Sequence, residues 1–347
     1  MNTTRERLIA HCRAYPALQI QDLFKYLFQS ALGCEHAVSS LSAAVARIEA
    51  EGVAAERTPQ AVEPLDGEYS RVPLGLLSPA TLGRIFLLSA KAEANGTDRL
   101  ADKLQAAKEL VAEGLLPFSP EAFDDAAAKW AAEGYPALHH SDTFRETYHP
   151  AYRVIAHAFI PFFPLFKELD ERLAHGAVTL AVEGGSAAGK STLSHLLTTL
   201  YDCAVIPMDD FFLRPEQRTP ARLAEIGGNI DRERFADEVL GSLNAGTPIR
   251  YRPFDCGSMT LGDTVTVPQK RLTVVEGVYA THPAFGKYYD LSLFLDITPE
   301  RQKERITKRN SPLLAKRFFE EWIPMETAYF EATGIRERCD IRIGVDG

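Results

Sequence analysis

Val178-Thr-Leu-Ala-Val-Glu-Gly-Gly-Ser-Ala-Ala-Gly-Lys-Ser-Thr192 is the stretch on which the fold turns. Val178–Val182 is a short apolar run of β type. Leu193, Leu196, Leu197 and Leu200 beyond it have helical spacing. The turn between them completes GxxxxGK[ST] at Gly184, Gly189, Lys190 and Ser191. Glycines let the backbone curl until several N–H groups face one anion. The helix that starts at Lys190 adds the positive end of its dipole. Gly184, Gly185, Ser186, Ala187, Ala188, Gly189, Lys190, Ser191 and Thr192 are therefore expected to cradle the phosphates of a nucleotide. In that cradle Lys190 reaches the β- and γ-phosphates, and the Ser191 hydroxyl takes Mg²⁺.

Downstream of this loop, apolar runs alternate with helical patterns. The runs are Ala204–Pro207, Leu272–Val275, Leu291–Leu295 and Ile341–Val345. The helical stretches are Lys190–Leu200, Arg232–Leu243, Pro299–Lys308 and Pro312–Phe330. Short apolar strands separated by helices imply a parallel sheet covered on both faces. The change of character falls near His175, which gives an α-helical domain over 1–174 and an α/β phosphate-loop domain over 175–347.

The first half reads as capped helices. Thr3 and Glu6 match a capping box, Gln19–Ala31 is apolar at helical spacing, and Ser78-Pro79 and Ser119-Pro120 are helix starts. Gly33, Gly96, Gly114 and Gly134 are placed as stops, and Thr143 with Glu146 as a further capping box. Residues 52–77 read as a long loop. Cys34, Glu35 and His36, and the group His139, His140 and His149, have metal-binding side chains, yet turn and capping roles suffice for them. Tyr148–Arg153 mixes polar and aromatic residues, as a pocket or packing surface would.

The composition is that of a soluble globular chain. Of 347 residues, 47 are acidic and 38 basic, a net charge of −9, so no basic stripe invites nucleic acid. Cys12, Cys34, Cys203, Cys256 and Cys339 are scattered and form no CxxC pair, as expected in a reducing cytoplasm. No apolar run approaches the roughly 18–20 residues needed to span a bilayer, so no membrane partner is expected.

Three features turn nucleotide binding toward phosphoryl transfer. Asp209 and Asp210 follow the run Ala204–Pro207, at the strand ends where open α/β sheets bind ligands. A carboxylate there can accept the proton of an attacking hydroxyl. Glu276 ends the run Leu272–Val275, where an acid serves Mg²⁺. Arg301, Arg305 and Lys308 recur at helical intervals and could close over the transferred group. No NKxD-like guanine-reading motif and no LSGGQ-like transporter signature is present.

Taken in order, GGSAAGKST, MDDFF, YRPFD, VVEG and the Arg/Lys helix resemble the uridine kinase and phosphoribulokinase family over about residues 176–347. The resemblance implies ATP- and Mg²⁺-dependent phosphorylation of a hydroxyl on a small, nucleoside-like molecule. It implies Asp209 as general base and metal neighbour, Ser191 and Glu276 at the metal, and Arg305 with Lys190 on the transferred charge. Asp210, Phe211, Phe212, Phe254 and Asp255 would line the acceptor site. Phe254 stands where the family has Tyr, and Cys256-Gly-Ser-Met259 lacks the His and Arg that read uracil. The Arg-rich stretch Arg214–Asn229 is expected against the acceptor, one that carries an anion. Cover for the acceptor, ligand sensing and formation of a homodimer are the roles open to the helical half. The alternative to a kinase is an ATP-driven switch that works through that half.

Overall fold

The structure, a computed structural model, describes residues 3–34, 40–52, 61–65, 68–90 and 96–345. Glu35 and His36 lie outside the described residues. The chain folds as two compact units, Met1–Phe163 and Pro164–Gly347. The helix Phe163–His175 is tied to the second unit. Tyr201 Oη donates to Phe166 O, Arg172 Nη1 donates to Asp290 O, and Arg271 donates to Leu173 O.

The first unit holds the helices Thr4–Ala14, Ile20–Leu32, Leu41–Gly52, Pro79–Ser89, Gly96–Ala112, Pro120–Ala132 and Asp142–Tyr148. The expected caps at Thr3, Ser78 and Ser119 are present. Three local expectations are corrected. Gly96 begins a helix instead of ending one, and a Cβ there would lie 2.4 Å from Leu32 Cδ2, so close packing explains it. The cap before Phe144 is Ser141, whose hydroxyl accepts from Phe144 N–H, and not Thr143. Residues 52–77 contain two strands, β1 (Glu63–Pro64) and β2 (Tyr69–Pro73). With β3 (Tyr152–Ala156) they form an antiparallel sheet in which Tyr69 faces Ala156 and Pro73 faces Tyr152.

A chain of buried polar groups runs through this unit. Asp22 accepts from His140 Nδ1 (2.9 Å), the Ser141 hydroxyl (2.6 Å) and two backbone N–H groups. His140 Nε2 meets the Tyr152 hydroxyl at 2.6 Å. Arg71 lies over the Tyr152 and Tyr26 rings, donates to Gln29, and pairs with Glu63, which also holds His11 Nδ1 at 2.8 Å. His140 is thus engaged in protein hydrogen bonds.

The second unit is an α/β fold built on a parallel sheet flanked by helices. Its strands in chain order are β4 (Val178–Gly184), β5 (Cys203–Pro207), β6 (Ile249–Tyr251), β7 (Phe254–Asp255), β8 (Thr260–Leu261), β9 (Val265–Val267), β10 (Leu272–Glu276), β11 (Leu291–Asp296) and β12 (Ile341–Gly344). Five of them form one parallel sheet in the order β12-β11-β4-β10-β5, while β6–β9 and β7–β8 are small antiparallel pairs. The sheet strands read as continuous apolar runs because both faces are covered: all five residues of β10 are buried. From β4 the chain reaches β10 and β5 on one side and β11 and β12 on the other. The C-terminal end of β4 is therefore the topological switch point, where ligands of open α/β sheets bind. Glu276 is in register with Val182 on one neighbour and Pro207 on the other, so β5 and β10 end together and β4 runs on to Gly184 just beyond them. Among the described residues no helix is long and apolar enough to cross a membrane.

Candidate nucleotide and phosphoryl-transfer site

At that edge of the sheet the loop of residues 184–189 connects β4 to the helix Lys190–Leu200. Gly184 has φ +142°, and a Cβ there would lie 2.6 Å from Leu295 O. Ala187 and Gly189 also have positive φ, which winds the backbone into a cradle. The Lys190 ammonium folds back over the loop, donating to Gly184 O (2.8 Å) and Gly185 O (3.0 Å). Ser191 Oγ donates to Glu276 Oε1 at 2.8 Å, so two side chains 85 residues apart meet at the mouth of the loop. Burial raises the Glu276 carboxyl above the usual range, against the pull of Ser191 and Lys190. Thr192 is exposed on the first turn of the helix.

Asp209 and Asp210 lie on a 3₁₀ turn, Met208–Phe211, at the end of β5. Asp209 is exposed and Asp210 half-buried. Asp210 accepts from the Tyr251 hydroxyl at 2.7 Å, and burial raises its carboxyl. Phe211 is fully buried against Phe235, Tyr251 and the Arg234 guanidinium, and so props the turn from below. Phe212 is half-buried and bridges to Ile230. Phe254 is buried with the Arg218 guanidinium 5.8 Å over its ring. The Asp255 carboxylate closes the turn after it, accepting from Gly257 N–H, Ser258 N–H and the Ser258 hydroxyl.

Arg305, on the helix Pro299–Arg309, reaches the loop from outside. It donates to Ala187 O (3.2 Å) and Val345 O (2.6 Å), so its guanidinium is committed to two carbonyls. Arg301 pairs with Glu304.

Two partners of the loop have no signature in the sequence. Gln302 donates to Ser186 O at 2.9 Å. Glu326, on the helix Ile323–Thr333, accepts from Ser186 N–H at 2.9 Å and from the Ser186 hydroxyl. Glu326 is buried, and burial raises its carboxyl. The second glycine was the available signal. Gly185 needs no positive φ, yet a Cβ on it would meet Gln302 Nε2 at 3.0 Å and Glu326 Oε2 at 3.5 Å. Below the loop, Glu183 is fully buried and accepts from Thr281 N–H, the Thr281 hydroxyl and the Tyr329 hydroxyl.

Fold and site together define an α/β unit with a glycine-rich loop at the switch point of its parallel sheet and two carboxylates beside that loop. Among solved structures, the chain is similar to a possible uridine kinase from Bacillus stearothermophilus, at 20% identity over 52% of this chain and 99% of that chain, TM-score 0.39. It is also similar to a candidate fructose transport system kinase from Silicibacter sp. TM1040 (22% identity, 48% and 90% covered, TM-score 0.39). A third likeness is to the YGR205w protein (14% identity, 55% and 92% covered, TM-score 0.37). No protein-family model and no curated protein matches the chain.

Proposed function

We propose that the second unit transfers the γ-phosphoryl group of ATP to a hydroxyl of a small molecule. The observation that carries this reading is the sheet edge at the switch point: the loop 184–191, the buried Glu276 bonded to Ser191, and the exposed Asp209 lie at the ends of three adjacent strands. An ATPase needs the loop and an acid near the metal. A second, exposed carboxylate beside them suits an acceptor with a proton to lose.

The residues divide the work as follows. Loop N–H groups and the start of the helix Lys190–Leu200 bind the phosphates. The Lys190 ammonium, close to the loop carbonyls, is within reach of the charge that spreads over the transferred group. Ser191 and Glu276 offer a hard oxygen pair that fits Mg²⁺, and they would hold it; a bound Mg²⁺ supplies charge neutralisation at the phosphates. Asp209 orients the acceptor hydroxyl and takes its proton as that oxygen attacks the γ-phosphorus and ADP leaves. The reading needs neither nucleic acid nor a membrane.

The test is ADP release with Mg²⁺ and ATP in the presence of nucleosides, sugars and polyols, for the parent chain and Asp209→Asn. The reading expects acceptor-dependent release that drops in the variant while ATP affinity is kept. Normal turnover by Asp209→Asn with its best acceptor would overturn the role of Asp209.

A further inference from the structure

The stretch that follows the Asp209 turn is rich in arginine, and nearly every one is committed. Arg214 pairs with Glu216, Arg222 with Glu233, Arg232 with Glu225, and Arg252 with Glu238. Arg234 donates to Arg252 O and Asp210 O between Asp231 and Glu238. Arg218 differs. Among the described residues Arg218 has no carboxylate within ion-pair distance, and of its guanidinium only Nε is engaged, donating to Leu213 O at 2.9 Å. That bond and the Phe254 ring beneath fix the guanidinium, while the residue stays partly exposed. Its Nη1 and Nη2 form a pre-oriented fork, the geometry that grips a carboxylate or a phosphate in two places.

The fork lies on the acceptor side. Arg218, Asp209, Asp210 and Asp255 all act electrostatically on the Cys256 thiol, so Arg218 and the proposed base share one neighbourhood. Charge balance alone does not explain Arg218. An arginine kept to neutralise Asp209 or Asp210 would pair with one of them, whereas Asp210 is bonded to Tyr251 instead. Nor does Asp255 claim it, since that carboxylate is turned into the 256–258 backbone.

We infer that the phosphate acceptor carries an oxyanion, a carboxylate or a phosphate, and that Arg218 is the specificity-determining residue that grips it while the acceptor hydroxyl faces Asp209. This rests on the kinase reading above. The experiment uses the full chain with Mg²⁺ and ATP and two matched pairs: gluconate against sorbitol, and ribose 5-phosphate against ribose, with uridine as a further neutral compound. ATP affinity is measured by calorimetry in parallel, and folding of Arg218→Gln and Arg218→Lys by circular dichroism. The expected result is a kcat/KM for the anionic member of one pair at least about tenfold above its neutral counterpart. Which pair responds tells carboxylate from phosphate. Arg218→Gln should erase the preference by raising KM about ten- to a hundredfold, and Arg218→Lys should fall between. If ATP fails to bind the parent chain, the kinase reading falls. If ATP binds and a neutral compound is turned over best, or Arg218→Gln keeps the preference, the kinase reading stands and the oxyanion acceptor is wrong; if ATP binds and no compound is turned over, both readings fall.

Discussion

Asp209 and Asp210 are adjacent carboxylates in different surroundings, and the proposed mechanism gives them different tasks. A 3₁₀ turn rotates successive side chains by about 120°, so one acid faces solvent while the next meets the Tyr251 hydroxyl. Asp209→Asn removes the exposed carboxylate of the pair, the proposed base, and should cost about 10²–10⁴-fold in kcat. Asp210→Asn keeps an oxygen for Tyr251 to donate to, so it should act on the acceptor's KM and leave kcat within about tenfold. Steady-state ADP release with a turned-over acceptor checks both, and equal kcat losses would mean that the two act as one unit. The sequence makes an acidic pair after an apolar strand easy to see. Which member faces outward depends on the turn's helicity and on Tyr251, 41 residues away, and no local pattern carries that.

At the scale of elements, the phosphate loop is shaped from two sides. Its own glycines form one side: Gly184 combines φ +142° with Leu295 O 2.6 Å from a prospective Cβ. Gly184→Ala should therefore lower stability by more than about 2 kcal/mol in urea unfolding. Gly185→Ala meets mainly the movable end of Gln302 and should cost less than about 1 kcal/mol, which calibrates the first value. The C-terminal helices form the other side, through Gln302, Arg305 and Glu326 on residues 186 and 187. Glu326→Ala frees Ser186 from two bonds and should weaken ATP binding about five- to tenfold, with Glu326→Gln in between because it still accepts from Ser186; calorimetry decides. An unchanged affinity would mean that the loop holds its shape without the clamp. The strands of this unit were legible because each is a compact apolar run before a helix. Strand β2 was not, because all five of its residues are buried, including Ser70 and Arg71, so neither alternation nor an apolar run marks it. Arg305 was legible as a cation on a helix, but its bond to Ala187 O depends on tertiary packing that spacing does not reveal.

At the scale of the whole molecule, the two units bury their ionisable groups in opposite ways, and this gives them opposite responses to acid. In the first unit burial depresses His140 from 6.5 to about 4, outweighing its bond to Asp22, and depresses His11 as well. Burial alone would raise Asp22 and Glu63. Hydrogen bonds to Asp22, and Arg71 with His11 beside Glu63, hold both acids at about 2. A group with a folded-state pKa below its unfolded value binds protons more readily in the unfolded chain, so it stabilises the fold above the unfolded pKa and loses that contribution as pH falls. For the histidines the loss starts near 6.5, and His140 alone contributes as much as about 3 kcal/mol by pH 4. The acids add their own loss from about 4.5 down to about 2. In the second unit burial raises Glu183, Glu276 and Glu326, so their contribution is present below 4.5 and declines as pH rises through the raised values. His282, which burial depresses, and Glu233, Asp202 and Asp255, which hydrogen bonds hold low, oppose them there. The chain's two tryptophans separate the responses. Trp130 is stacked on Phe24 at 4.9 Å in the first unit, and Trp322 lies in the second. In a Trp322→Phe chain, the urea midpoint read from Trp130 fluorescence should fall steadily from pH 6.5 to 4, and His140→Gln should flatten that slope while lowering the midpoint at pH 7. In a Trp130→Phe chain the midpoint read from Trp322 should hold or rise over the same range. Parallel falls in both would show that the three raised glutamates of the phosphate-loop unit do not govern its acid response.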